Sequence, residues 1–160
     1  MNSEKPKGYR PNVGVVVFNA DGKVWLGHRY GMTGDHSWQF PQGGIDEGED
    51  LEAAALRELF EETGIRSVEV VARTADWVYY DFPPEVLAQG KIGKNFLGQK
   101  QVWYAMRFNG RDDEIDLNAH HEQEFSRWEW CDIDRVVDRV VHFKRESYRK
   151  VIAEFRNIIR

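Results

Sequence analysis

Apolar and polar positions along the chain change period several times, and each change marks an element. Residues 12–18 (NVGVVVF) form an apolar run that stops at Asn19-Ala20-Asp21-Gly22, a turn signal. Residues 23–28 (KVWLGH) then read as the return strand of a hairpin. A glycine-rich loop over 31–36 leads into Ser37-Trp38-Gln39-Phe40 and then Pro41-Gln42-Gly43-Gly44. Residues 50–63 take up helical period, with acids in the first turn and Gly64 as the stop. Strands over 67–74 and 76–81, a loop from Pro83 to Gly98, and strands near 100–108 and 125–131 follow. Helices over 133–140 and 144–159 end the chain, the last with Tyr148, Val151, Ile152, Phe155 and Ile159 at helical spacing. This order predicts an α/β fold in which a mixed β-sheet is sandwiched between helices. No repeat or linker divides the sequence, so residues 1–160 predict one domain, with 1–7 a flexible lead-in.

The helix over 50–63 carries the candidate chemistry. At 100° per residue Glu58, Glu61 and Glu62 share one arc of about 100°, with Ala53, Leu56, Leu59 and Phe60 on the other side. Ala54 and Ala55 leave room beside the acids. Carboxylates crowded onto one face repel unless a cation joins them. An acidic helix face is ordinarily just solvated, but the flanking residues reverse that reading. Gly43, Glu49, Arg57, Glu58, Leu59, Glu61, Glu62, Gly64 and Ile65 fit the spacing G-x5-E-x7-R-E-U-x-E-E-x-G-U, where U is a bulky aliphatic. The segment resembles the Nudix box of metal-dependent phosphoanhydride hydrolases. The resemblance implies a Nudix fold in which Glu58, Glu61 and Glu62 hold Mg²⁺, with Mn²⁺ or another divalent cation able to substitute. It also implies that Gly43 adds its carbonyl and that Arg57 braces the glutamates. Such a cation would offset charge on the bridging and leaving oxygens and lower the pKa of bound water. Glu58 and Glu124 are both candidates for the proton acceptor.

The likeness extends beyond the box. Gly8-Tyr9-Arg10-Pro11-Asn12-Val13-Gly14, Ser37 through Gly44, Gly98-Gln99-Lys100-Gln101 before Trp103, Glu124-Phe125 before Trp128-Glu129-Trp130, and Val141-His142-Phe143-Lys144-Arg145 occur in order. Together they resemble the bacterial RNA pyrophosphohydrolases and the related dinucleoside polyphosphate hydrolases of bacteria and plants. The resemblance implies that Arg10 contacts phosphates, Arg29 and Phe143 clamp a base, Lys144 reaches the phosphate chain and Glu124 supplies a further metal ligand. An arginine offers phosphate a planar fork and a base a flat face, and base–aromatic stacking is worth roughly 1–3 kcal/mol. Other segments pull the substrate two ways. The loop over 30–36 is a little longer than in the best-known RNA-processing members. Ile45 through Asp50 and Tyr80-Asp81-Phe82-Pro83-Pro84 look more like the plant diadenosine tetraphosphate hydrolases and an invasion-associated bacterial branch. The expected substrate is therefore a 5′-triphosphorylated RNA end, cut to a monophosphate to start mRNA decay, or a dinucleoside polyphosphate. A catalytically inactive nucleotide- or RNA-binding module would be expected to lack box carboxylates, and all are present here.

Charge and cysteine usage narrow the setting. A formal net charge of −5 argues against a surface that coats duplex DNA, but not against recognition of a single RNA end. Acids crowd residues 46–62 and 112–124, whereas Lys91, Lys94, Lys100, Lys144, Arg145, Arg149 and Lys150 are basic, a division suited to a polyphosphate with Mg²⁺. The single cysteine, Cys131, excludes an intramolecular disulfide and reads as buried and inert. With no apolar leader and no membrane-length run, a cytoplasmic protein is expected, and protein partners are not legible. Trp38, Trp128 and Trp130 read as sheet-packing residues. His28, His36, His120, His121 and His142 lack metal spacing with cysteine and read as surface or loop residues.

Overall fold

The run of valines near the start becomes β1 (Tyr9–Phe18), apolar on consecutive positions because both of its faces are covered. Val13, Val15 and Val17 enter one core layer, while Val16 and Phe18 enter the other. The structure is a computed structural model that describes residues 8–88, 96–120 and 122–159. The lead-in 1–7, Lys91, Lys94 and His121 lie outside the described residues. β1 pairs antiparallel with β2 (Val24–Arg29) and with β4 (Gln42–Gly44). It runs parallel to β7 (Gly98–Phe108), from Tyr9↔Gly98 to Phe18↔Arg107. β2 carries β3 (Trp38–Gln39) and β8 (Phe125–Cys131), and β7 carries β5 (Val68–Arg73) and β6 (Val78–Asp81), all antiparallel. The sheet is mixed, as expected.

One face is covered by α1 (Leu51–Thr63), which packs Ala54, Ala55 and Leu59 against Val13, Val15, Val102 and Tyr104. The other is covered by α3 (Arg145–Phe155), whose Tyr148, Val151, Ile152 and Phe155 meet Val16, Phe18, Trp103 and Ala105. A helix–sheet–helix sandwich results. α1 starts at Asp50, whose side chain accepts from Ala53 N at 3.2 Å, an N-cap bond. It stops at Gly64, which takes the left-handed φ of 76° and donates to Phe60 O at 2.8 Å.

Several expected elements are corrected. The helix over 133–140 is two 3₁₀ turns, Ile133–Arg135 and Val137–Arg139. Asp132 ties down Asp134 N, and Val140 is extended (ψ 157°), so Val136 and Val140 both reach the core without an α-turn between them. The last α-helix ends at Phe155 rather than 159, and turn bonds from Ile158 and Ile159 to Phe155 O fold Ile159 back under the sheet. The loop after Pro83 opens with a single helical turn, α2 (Pro84–Leu87). The buried side of α1 also differs. Ala53 and Leu56 face solvent, and the small Ala54 and Ala55 let the helix sit close to the sheet, so Glu62 shares the buried side with Leu59. His28 is not a surface residue: only 5% exposed on β2, it sits edge-on to Trp38 at 5.1 Å. Trp38, Trp128 and Trp130 do pack the sheet, and Cys131 is buried with its thiol pushed up by burial.

Candidate active site

β4 pairs with β1 through Asn12↔Gly44 and Gly14↔Gln42, and α1 follows directly. That geometry brings the acids of α1 beside the polar end of β1. A cleft of about 500 Å³ opens there, and its walls include Arg10, Arg29, Gly43, Glu58, Glu62, Glu124, Phe143 and Lys144. Eight positions singled out from sequence, scattered from residue 10 to residue 144, thus share one wall system. The size suits a nucleotide-scale ligand.

Gly43 shows why the box begins with glycine. A Cβ there would stand 2.0 Å from Glu58 Cδ, so the carboxylate lies directly against the Gly43 backbone. Glu58 is fixed from the other side by Arg57, whose Nη1 donates to its Oε1 at 2.9 Å. The same guanidinium reaches Glu61 Oε1 at 3.3 Å, Gly44 O at 3.0 Å, and both Glu49 oxygens at 2.8 and 2.9 Å. This fork raises the Arg57 pKa, first through Glu49, and holds Glu49 down to about 2. Arg57 and Glu61 stand behind the wall, tying the loop before α1 to the helix, and are not among the cleft-lining residues.

Glu58 and Glu62 line the cleft together and interact closely enough that, without a cation, they would share a proton. Glu62 is 5% exposed, and burial, then the bond to Glu58, pushes its pKa well above the ordinary carboxylate value. Burial raises Glu58 too, against the pull of Arg57. Two abutting carboxyls share either a proton or a cation, and this pair fits a hard divalent cation at the cleft wall. Among the described residues no group of three His, Cys, Asp or Glu side chains is gathered closely enough to hold a metal ion. Glu61 is drawn aside by Arg57, and Glu124 stands on the loop before β8, where its carbonyl accepts from Tyr30 N at 2.8 Å.

The cations differ in setting. Arg10 lies over Gly44, its Nη2 2.5 Å from where a Cβ would be. Arg29 closes β2 and is half-buried. Lys144 does not belong to a solvated basic rim. It is 6% exposed, its Nζ donates to Gln39 Oε1 at 3.1 Å, and burial followed by repulsion from Arg29 brings its pKa down to about 7. Phe143 is half-buried in the 3₁₀ turn before α3 and faces Tyr80 with ring centres 5.9 Å apart, so it lines the cleft rather than filling the core.

Sequence reasoning gave no role to the amides and hydroxyl behind these groups. Gln101 Nε2 donates to Asn12 Oδ1 at 2.7 Å and to Gln42 Oε1 at 3.0 Å, and its Oε1 accepts from Trp103 Nε1 at 3.2 Å. Gln42 and Tyr80 line the cleft beside Glu62. The available signal was amide side chains interrupting apolar strands, since a buried amide needs partners.

Known proteins resemble this chain in sequence and in fold. An RNA pyrophosphohydrolase of Caulobacter vibrioides is 54% identical over 152 residues, covering 95% of this chain and 88% of that protein. One from Wolbachia pipientis subsp. Culex pipiens is 47% identical over 160 residues, covering 100% and 96%. The solved structure of the E. coli dihydroneopterin triphosphate pyrophosphohydrolase superposes with a TM-score of 0.70 at 18% identity, covering 94% of this chain and 99% of that one, a likeness of fold. The NUDIX domain family matches residues 8–155, and the chain belongs to that family.

Proposed function

We propose that this chain is a metal-dependent pyrophosphohydrolase that removes pyrophosphate, or phosphate stepwise, from the 5′-triphosphate end of RNA and leaves a 5′-monophosphate. The observation that carries the reading is the meeting of two abutting carboxylates with Arg10, Arg29 and Lys144 in one cleft. Its RNA assignment is supported by relatives named RNA pyrophosphohydrolase at 44–54% identity over most of the chain. Cleavage of a phosphoanhydride needs little covalent help beyond positioning and charge stabilisation. Glu58 and Glu62, with Glu61, Glu124 and the Gly43 carbonyl, would hold Mg²⁺ or Mn²⁺, which would supply charge neutralisation and a more acidic water. Arg10 binds phosphate oxygens, and Arg29 and Phe143 hold a base between them. Lys144, sharing the cleft with Glu62 and Glu124, meets the polyphosphate and is charged by it, because an anion restores the proton that burial disfavours. Glu58, held by Arg57, and Glu124 are the candidate proton acceptors.

No described helix is long and apolar enough to cross a membrane. The site of action we assign is the cytoplasm, where triphosphorylated RNA ends arise. The test compares kcat/KM for a short 5′-triphosphorylated RNA and for diadenosine tetraphosphate at one Mg²⁺ concentration. A preference for RNA of tenfold or more, about 1.4 kcal/mol in transition-state binding, supports the reading. A tenfold preference for the dinucleotide transfers the site to dinucleoside polyphosphates, and binding without turnover of either would make the chain an inactive module.

A further inference from the structure

The phosphate end of the cleft is built on the ends of three adjacent strands. Arg10 on β1, Gln99 on β7 and Tyr80 on β6 are registered across three adjacent strands, and all three line the cleft. Among the described residues β1 pairs with β4 from Asn12 onward, whereas Tyr9, Arg10 and Pro11 pair with β7. β6 is four residues long and, among the described residues, pairs with β7, while its Val78 and Tyr80 are buried and Tyr79 O accepts from Ser147 Oγ at 3.3 Å. A side-chain bond between the two outer strands adds to the ladder bonds that fix the spacing of this row.

One residue along, on the opposite face of the sheet, the row is Tyr9, Gly98 and Asp81. Tyr9 OH donates to Asp81 Oδ1 at 2.5 Å, joining the two outer strands directly across the central one. Gly98, having no side chain, lets the β6 backbone lie directly against β7, since a Cβ there would stand 2.0 Å from Tyr80 O, and the Tyr9 ring rests edge-on to Tyr79 with centres 5.2 Å apart. The carboxylate acceptor makes this a charge-assisted bond. It also pushes the Tyr9 pKa up to about 12, so the phenol remains a donor throughout the working range of the enzyme.

We propose that Tyr9 and Asp81 form a clasp over Gly98 that positions Arg10, Gln99 and Tyr80 as one phosphate-binding row, making both of them positioning residues for the substrate polyphosphate. The proposal rests on the assignment of Arg10 to substrate phosphate. It does not place either residue in contact with substrate, because their side chains lie on the far face.

The test measures steady-state kinetics with 5′-triphosphorylated RNA for Tyr9→Phe, Asp81→Ala, their double variant, Asp81→Asn and Arg10→Ala, with hydrogen exchange of the backbone amides beside it. Tyr9→Phe and Asp81→Ala should each raise KM about five- to tenfold while kcat changes less than twofold. The double variant should be no worse than either single one. Asp81→Asn, whose amide oxygen still accepts from the phenol, should stay within twofold of the parent, an outcome that loss of general stability would not produce. Amides of Tyr9, Arg10 and residues 78–81 should exchange faster in Tyr9→Phe, with those of α1 unchanged. Unaltered KM in Tyr9→Phe and Asp81→Ala beside a raised KM in Arg10→Ala overturns the clasp and leaves the phosphate reading standing. Unaltered KM in Arg10→Ala overturns the phosphate assignment, and the clasp with it.

Discussion

Replacing Gly43 with alanine separates what the fold needs from what the site needs. Gly43 lies in β4 and has no positive φ, so alanine meets no backbone strain there. The added methyl group would stand 2.0 Å from Glu58 Cδ and 2.1 and 2.5 Å from its oxygens, where ordinary contact begins near 3.4 Å. The carboxylate must therefore retreat by about 1.4 Å, which a flexible side-chain end does cheaply. Retreat weakens the Arg57–Glu58 bond, at a cost of about 1 kcal/mol for a partly exposed pair. Lower chain entropy in the unfolded state returns about 0.5 kcal/mol of that. The melting temperature should move by only a few degrees. Turnover should suffer far more, because misplacing a catalytic group by about 1 Å typically costs on the order of a hundredfold. The assay is kcat/KM on triphosphorylated RNA, paired with a thermal melt. Activity within threefold of the parent would refute the idea that Glu58 works from against the Gly43 backbone.

Two further predictions concern the buried ionisable groups. Glu62→Gln should lower kcat at least a hundredfold and abolish the Mg²⁺-induced rise in melting temperature. Because the Glu62 pKa is raised in the folded state, metal-free protein loses stability as pH climbs above the ordinary 4.5, so the variant should outlast the parent near pH 8 without Mg²⁺. Equal melts and a retained Mg²⁺ response would refute the assignment. Lys144→Met addresses a base whose folded pKa is lowered to about 7 from 10.5. The unfolded chain binds more protons across that window, so this group makes stability rise with pH from about 7 to 10.5. In metal-free buffer the variant should be more stable than the parent at pH 7, with the gap closing toward pH 10.5, while KM for triphosphorylated RNA rises at least tenfold. A gap independent of pH would show that Lys144 is not buried as a cation.

How much of this was legible in the sequence depended on whether neighbours along the chain were also neighbours in space. α1 was readable to within a residue, because its cap, its acids and its terminal glycine are local signals. Its buried face was not. Hydrophobicity pointed to Leu56 and Ala53, whereas the sheet receives the side bearing Ala54, Ala55 and Glu62. Periodicity arguments assume that buried means apolar, and a site built into the core breaks that assumption. The turns over 133–139 failed similarly: alternating valines and charges fit a helix, but an extended Val140 set by packing under α3 ended it. The parallel pairing of β1 with β7 and the register that sets Arg10 beside Gln99 and Tyr80 join residues almost ninety positions apart. No local pattern encodes such pairings. The Gln101–Gln42–Asn12 bonds are long-range for the same reason, although isolated amides within apolar strands were visible all along.

The departures from local expectation converge on one place. A buried acid pair and a lysine with its pKa near 7 line one cleft. Each disfavours the folded, ligand-free state, because burial penalises charge that water would otherwise solvate. The same groups become complementary once a polyphosphate and a divalent cation enter. On the proposed reading the acids would hold the cation in place of a proton, and the lysine would gain an anion that restores its own. Protons would then be released at the acids and taken up at the lysine, so the net proton exchange on binding should depend on pH near the lysine value. Calorimetric titration of a non-hydrolysable triphosphate analogue in buffers of differing ionisation enthalpy would read this directly. Uptake of a proton per Lys144 should fade below about pH 7 in the parent and be missing in Lys144→Met. Identical proton uptake in the two proteins would mean that the lysine keeps its charge in the empty cleft, and that burial alone does not set the proton balance of this site.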